Sequence, residues 1–143
     1  MKKVICLVLT AFFQYMLYAQ DKTADSLLKM IGNAKSDTAK VRLLYGLDSF
    51  YYYERYNPDT ALLYAVQGLE LSNRTGYKDG EIAGIIDISD LQFDNGKPDS
   101  AKQSLYAGLA ILDSYVPQDS SLPVKLYRRL GSIHEESNLD SSI

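Results

Sequence analysis

The chain has 143 residues, 46% of them hydrophobic and 23% charged, with a formal net charge of −3. That balance belongs to a folding globular chain and excludes a disordered one. The acidic charge, without basic runs, argues against nucleic-acid binding by this segment.

The first twenty residues, MKKVICLVLTAFFQYMLYAQ, open with Lys2 and Lys3 and continue as an apolar stretch from Val4 to Leu17, broken by Thr10 and Gln14. Leu17-Tyr18-Ala19 has the small-residue character of a cleavage site, which predicts a signal peptide over 1–19 and export to the periplasm or cell envelope. A spanning helix is the rival reading, but it needs about 20 apolar residues. Cys6 lies inside this segment, so the processed chain carries no cysteine and no disulfide framework. Without Lys2 and Lys3, 13 basic residues face 18 acidic ones, a formal charge of −5.

Beyond Asp21 the chain reads as helices separated by turn signals. Leu27, Leu28, Ile31 and Ala34 fall at helical spacing over about 23–34. Ser36-Asp37-Thr38 offers capping side chains to a helix over about 39–55, with Val41, Leu44, Leu47 and Tyr51 as its buried stripe. Asn57-Pro58-Asp59 restarts the chain with a cap, a first-turn proline and an acid at the positive helix end. Ala61, Ala65, Gly68, Leu69 and Ser72 share a face, and Gly76 is a stop signal.

A helix over about 81–94 presents Ile82, Ile85, Ile88, Ser89 and Gln92, and Asn95-Gly96-Lys97-Pro98 turns the chain. Ala101, Leu105, Gly108, Leu109 and Leu112 then repeat the offsets of the earlier helix forty residues on, with Pro-Asp-[Thr/Ser]-Ala heading both. Pro117 and Pro123 bracket a polar loop. A last segment opens with Val124, Tyr127, Leu130 and Gly131, with a turn expected at Asn138-Leu139-Asp140-Ser141. No stretch alternates with period two for long, so no sheet is expected.

Tyr127-x2-Leu130-Gly131-x2-His134, Ile85-x2-Ile88-Ser89-x2-Gln92 and Leu44-x2-Leu47-Asp48-x2-Tyr51, each of the first two units followed by Ala and Gly at 61 and 68 or 101 and 108, resemble the tetratricopeptide repeat. The resemblance implies an all-α fold: an α-solenoid of antiparallel helical hairpins, about two and a half repeats after the signal peptide. Its parts would be an N-terminal helix (20–37), two repeats (38–77 and 78–117) and a truncated third (118–143). Repeat packing would rest on Leu47, Ala61, Gly68, Ile88, Ser89, Ala101, Gly108, Leu130 and Gly131. Three departures stand out: a period of forty, assigned to a long connection around Arg74–Gly80; Asp48 at a small-residue position; and one extra residue before the first unit's proline. Another helical-hairpin solenoid is the structural rival.

The residues spell no catalytic constellation, metal site or cofactor site. His134, the sole histidine, falls on the repeat's aromatic position, and no Gly-x-Ser-x-Gly elbow or phosphate loop occurs. Asp87, Asp90 and Asp94 read as a solvated acidic face. In the repeat family, first-helix positions line a concave groove for peptides. Carried across, these are Arg42, Tyr45, Ser49, Tyr52 and Tyr53; then Ala83, Ile86, Asp90, Phe93 and Asp94; then Lys125, Arg128, Ser132, Glu135 and Glu136. The first unit's tyrosines have packing beneath the preceding helix as their alternative.

The resemblance therefore implies a non-catalytic scaffold for a protein or peptide partner. Signal-led repeats of this style look like the extracytoplasmic front of bacterial histidine kinases or transcriptional regulators. On that reading the chain is a sensor's input part, with membrane contact only through the signal or a later helix. A stand-alone exported structural or assembly protein is the alternative, and an exported enzyme or carbohydrate-binding helical domain is the alternative of another class. With its last pair incomplete, the piece is expected to leave Tyr127, Leu130 and Ile133 partly uncovered and to be marginal or self-associating.

Overall fold

The computed structural model describes residues 22–140, with side chains through Glu135. The expected signal peptide, including Cys6, lies outside the described residues. Those residues form six α-helices and one π-helical turn, with no strand among them. In chain order they are α1 (22–32), α2 (Asp37–Ser49), the π-helical turn (Phe50–Glu54), α3 (Pro58–Thr75), α4 (Lys78–Asp94), α5 (Pro98–Leu112) and α6 (Ser121–Asp140). None of the described helices is long and apolar enough to cross a membrane.

Local chemistry sets the helix ends. Ser36 Oγ accepts from the Ala39 amide at 3.1 Å, and Asn57 Oδ1 accepts from the Thr60 amide at 3.0 Å. Both satisfy amide donors that the first helical turn leaves unpaired. Pro58 and Pro98 stand at the starts of α3 and α5. Gly76 closes α3 at φ 68°, a left-handed conformation that glycine adopts without steric cost.

Consecutive helices pack on one another from α2 to α6, and α4 also touches both α2 and α6. The apolar core is accordingly strung out in small clusters. Ala24, Leu47 and Phe50 join α1 to α2 and the π-helical turn, and Val41, Leu44 and Leu71 join α2 to α3. Ala61, Ala65 and Leu91 join α3 to α4, while Ile82, Leu105, Leu126 and Ile133 bind α4, α5 and α6. The forty-residue echo is visible in burial: residues 61–70 and 101–110 run through the same order of buried, half-buried and exposed positions.

Glycines mark the closest approaches. A β-carbon on Gly68 would run into the Tyr45 ring, one on Gly84 into the Tyr45 hydroxyl, and one on Gly108 into Leu126. Tyr45 is held there because its hydroxyl donates to the Gly80 carbonyl at 2.7 Å. Asp79, almost wholly buried, ties down the loop between α5 and α6. It accepts from the Tyr115 hydroxyl at 2.9 Å and from the amides of Gln118 and Asp119 at 3.2 and 3.0 Å.

Several expectations need correction. The long period does not come from a long connection after Arg74, because only Gly76 and Tyr77 separate α3 from α4; the helices themselves are long. The extra residue of the first unit is absorbed by the π-helical turn, where the Arg55 amide reaches back to the Phe50 carbonyl at 3.2 Å. No turn forms at 138–140, since α6 runs through Asp140. On α6, Tyr127 is 60% exposed, Leu130 is half-buried and Ile133 is fully buried, so the expected exposure holds for the first two but not for the third. Gly131, assigned to repeat packing, is exposed, and nothing comes near its missing β-carbon. Leu47, Ala61, Gly68, Ser89, Ala101 and Gly108 are buried, and Ile88 is half-buried.

Candidate functional site

The extra residue before Pro58 has a local consequence. In the π-helical turn each carbonyl is bonded one residue further along than in an α-helix, and the run Tyr51-Tyr52-Tyr53 is fanned out. Tyr51 stacks on Tyr64 of α3, with ring centroids 5.5 Å apart. Tyr52 packs against the Ala61, Ala65 and Leu91 cluster and its hydroxyl donates to the Asp94 carboxylate. Tyr53 turns outward, 62% exposed, with its ring edge-on to Tyr52 at 4.6 Å.

Tyr53 forms one wall of an open pocket of about 320 Å³. Ile86, Asp87 and Asp90 of α4 make its floor, and Lys125, Arg128, Arg129 and Ser132 of α6 make the far wall. A small niche runs from it toward α2, lined by Asp48, Ser49, Tyr52, Tyr53, Asp87, Asp90 and Leu91. Its volume of about 20 Å³ is room for about one water.

Three carboxyl groups converge at this floor. Asp90 is clamped by Arg129: Nη2 donates to Oδ2 at 2.5 Å, and Nε pairs with Oδ1. Burial pushes the Asp90 carboxyl above the ordinary carboxylate range, and Arg129 works against that shift. Asp48 of α2 and Asp87 of α4 lie within hydrogen-bonding reach of each other. Burial raises Asp87 to about 8, assisted by the charges of Asp48 and Asp90 and opposed by Lys125. Asp48 is raised to about 6, again chiefly by burial. Two adjacent buried carboxyls cannot both ionise cheaply, so each holds its proton to higher pH than a free carboxylate does.

The expected groove residues divide between two hollows. Tyr53, Ile86, Asp90, Lys125, Arg128 and Ser132 are brought together in the pocket, with Ser49 and Tyr52 in its niche. Arg42, Tyr45 and Ala83 instead line a second hollow of about 360 Å³, bounded by Tyr77, Asp79, Gln118, Asp119 and Leu122. Tyr45 is largely taken up by packing on α3 and α4, and burial holds its hydroxyl well above the usual tyrosine range. Phe93 packs on the apolar cluster of α4, α5 and α6. Asp94 is exposed and engaged by Tyr52, Glu135 is exposed, and the Glu136 side chain lies outside the described residues.

The solvated acidic face expected of Asp87, Asp90 and Asp94 needs correction: only Asp94 is exposed, because Asp87 lies against Asp48 of α2 and Asp90 is paired with Arg129 of α6. His134 is exposed on α6, its Nε2 lying 3.2 Å from the Tyr106 hydroxyl. No group of three potential ligands is placed to hold a metal among the described residues. Sequence reasoning missed Asp87 and Arg129 as pocket residues. Asp48, an acid at a position otherwise given to small residues, was the available signal for the carboxyl pair.

No family model, curated protein or solved structure matches this chain. The functional reading therefore rests on the residues and their geometry.

Proposed function

We propose that the chain is a non-catalytic helical-repeat scaffold that holds a segment of a partner protein or peptide in the groove of α2, α4 and α6. The observation that carries the proposal is the shared pocket of Tyr53, Ile86, Asp90, Lys125, Arg128 and Ser132. These residues come from three successive repeats of the sequence, at the register positions where tetratricopeptide-like units expose their groove. Exposed Tyr and Arg side chains are the types that most often anchor interfaces.

The finer architecture belongs to the same proposal: α2 with α3, and α4 with α5, are two tetratricopeptide-like hairpins of a superhelix, and α6 opens a third. Supporting it are the matched burial of 61–70 and 101–110 and the close approaches at Gly68 and Gly108. The carboxyl pair Asp48–Asp87 is assigned a place in the groove's floor: Asp48 lies in the one-water niche and Asp87 also faces the larger pocket. The signal-like leader and the style of the repeats support an exported location and an input role in a larger signalling protein.

The test is selection of binders from a displayed random-peptide library on the chain, followed by titration of the selected peptides. Replacing Tyr53 and Arg128 with Ala should weaken them by at least about tenfold while leaving the circular dichroism spectrum unchanged. Selected peptides that bind both variants as well as the parent would place the interface elsewhere.

A further inference from the structure

From the distribution of charge in the groove we infer that its occupant is an extended acidic segment, with two carboxylates held by Lys125 and Arg128 and the chain beside them resting on the Tyr53 ring. This rests on the groove reading above and adds the chemistry of the ligand.

The three cations of the pocket are not equivalent. Arg129 is neutralised by Asp90 in a two-point ion pair, so both lose their reach toward a ligand. Lys125 and Arg128 are exposed and form no ion pair with another described residue. The remaining acids of the lining are Asp48 and Asp87, whose carboxyls burial and mutual repulsion hold above the ordinary range so that they resist ionising together, and exposed Asp119 lies beyond the pocket toward Lys125. Two cations without an ion-pair partner thus face a carboxyl pair that resists full ionisation, on a chain whose net charge is −3. The groove thus presents open cations on an acidic molecule, which favours an anionic partner in both encounter and register.

Spacing narrows the partner further. Lys125 and Arg128 are three residues apart on one helix, which puts their β-carbons about 5–6 Å apart on the same face. Alternate side chains of an extended peptide are spaced by about twice the 3.3 Å rise of a strand and point the same way. An extended segment with Asp or Glu at alternate positions matches that spacing. The exposed Tyr53 ring across the pocket supplies an apolar platform for the intervening residues.

The carboxyl pair gives the site a recognisable signature. The charged and titratable groups around it are Tyr45 and Tyr53 from α2 and the π-helical turn, Asp90 from α4, and Lys125, Arg128 and Arg129 from α6. Because both carboxyls are held above the ordinary range, alkaline pH removes the pair's remaining proton, and the added negative charge offsets Lys125 and Arg128. Affinity for an acidic segment therefore falls on the alkaline side, although the ligand's own charge is constant there.

The experiment is fluorescence anisotropy on the whole chain with three labelled peptides of equal length, bearing Glu, Gln or Lys at alternate positions. The Glu peptide should bind at least about tenfold tighter than the Gln peptide at pH 6.5, with the Lys peptide weakest. The double change Lys125→Gln and Arg128→Gln should remove that preference. Between pH 6.5 and 9 the Glu peptide should weaken several-fold, and Asp87→Asn should abolish that fall. Equal binding of all three peptides, all weakened by Tyr53→Ala, would overturn the acidic assignment and leave the groove standing. Binding by none would overturn both. A polygalacturonate chain that displaces the Glu peptide at lower carboxylate concentration would overturn the peptide in favour of acidic carbohydrate.

Discussion

The Tyr45 ring lies where a β-carbon on Gly68 would be, and the same tyrosine's hydroxyl lies where one on Gly84 would be. One side chain of α2 thus sets how closely α3 and α4 can be drawn together. Its hydrogen bond to Gly80, 2.7 Å long, keeps it from swinging aside.

Gly68→Ala should therefore destabilise the protein by roughly 1–3 kcal/mol, the range for forcing extra bulk into a filled site. Gly131→Ala, where nothing surrounds the missing β-carbon, should stabilise it by up to about 1 kcal/mol through helix propensity alone. Urea melts of the two variants decide the matter. Changes of the same sign would undo the packing account.

The pair Asp48–Asp87 makes stability depend on pH. Both carboxyls are raised in the folded protein, so it holds protons that the unfolded chain releases near pH 4. The associated stability is complete below about pH 4 and is lost as pH climbs through about 6 and about 8. Asp87→Asn, neutral throughout, should match the parent below about pH 4 and melt increasingly above it as pH rises, by about 5 °C or more at pH 9. Thermal melts whose pH profiles stay parallel would show that the two carboxyls are not held above the ordinary range.

Arg129 matters most for the charge it covers. The Asp90 side chain is only 15% exposed, so Arg129→Ala leaves a carboxylate with little water to replace its partner. The expected cost is roughly 1–3 kcal/mol, below that of a fully buried pair because the Arg129 side chain is 35% exposed. Adding Asp90→Asn to Arg129→Ala should recover much of it. A double variant no more stable than the single one, in chemical denaturation, would contradict this.

The outer face of α6 offers Val124 at 66% and Tyr127 at 60% exposure, uncovered by any described helix. On α4 the register equivalents, Ile82 and Ile85, are buried, with α5 packed on that helix. The chain should accordingly associate with itself in sedimentation experiments at high concentration, and Val124→Glu with Tyr127→Glu should abolish this without lowering the melting temperature. A parent that stays monomeric throughout would remove this face as an adhesive surface.

Much of the helix order was legible because its signals are local. Ser36 and Asn57 cap through their own side chains, Pro58 and Pro98 suit only a first turn, and Gly76 adopts a conformation that favours glycine. Tyr53, Ile86, Asp90, Lys125, Arg128 and Ser132, which line one pocket, are among the positions that the resemblance to the tetratricopeptide repeat points to. What escaped depends on contacts remote in sequence. Asp87 reads as a surface acid until Asp48 of α2 is brought against it, and Arg129 as an adjacent surface cation until Asp90 is brought beneath it. The extent of α6 departs from expectation because Asn138 and Asp140 are turn-forming residues only by propensity, which is a weak prior.

A single residue added to an unbroken α-helix turns everything after it by about 100° about the axis. Between Leu44 and Ala61 there is one residue more than between Ile85 and Ala101, yet Ala61 and Ala101 face their cores alike. The π-helical turn at Phe50–Glu54 is where that difference is taken up, as a wider loop of the spiral rather than as a rotation. It behaves as a vernier between unequal lengths of chain, and its setting decides which of three consecutive tyrosines looks out into the groove.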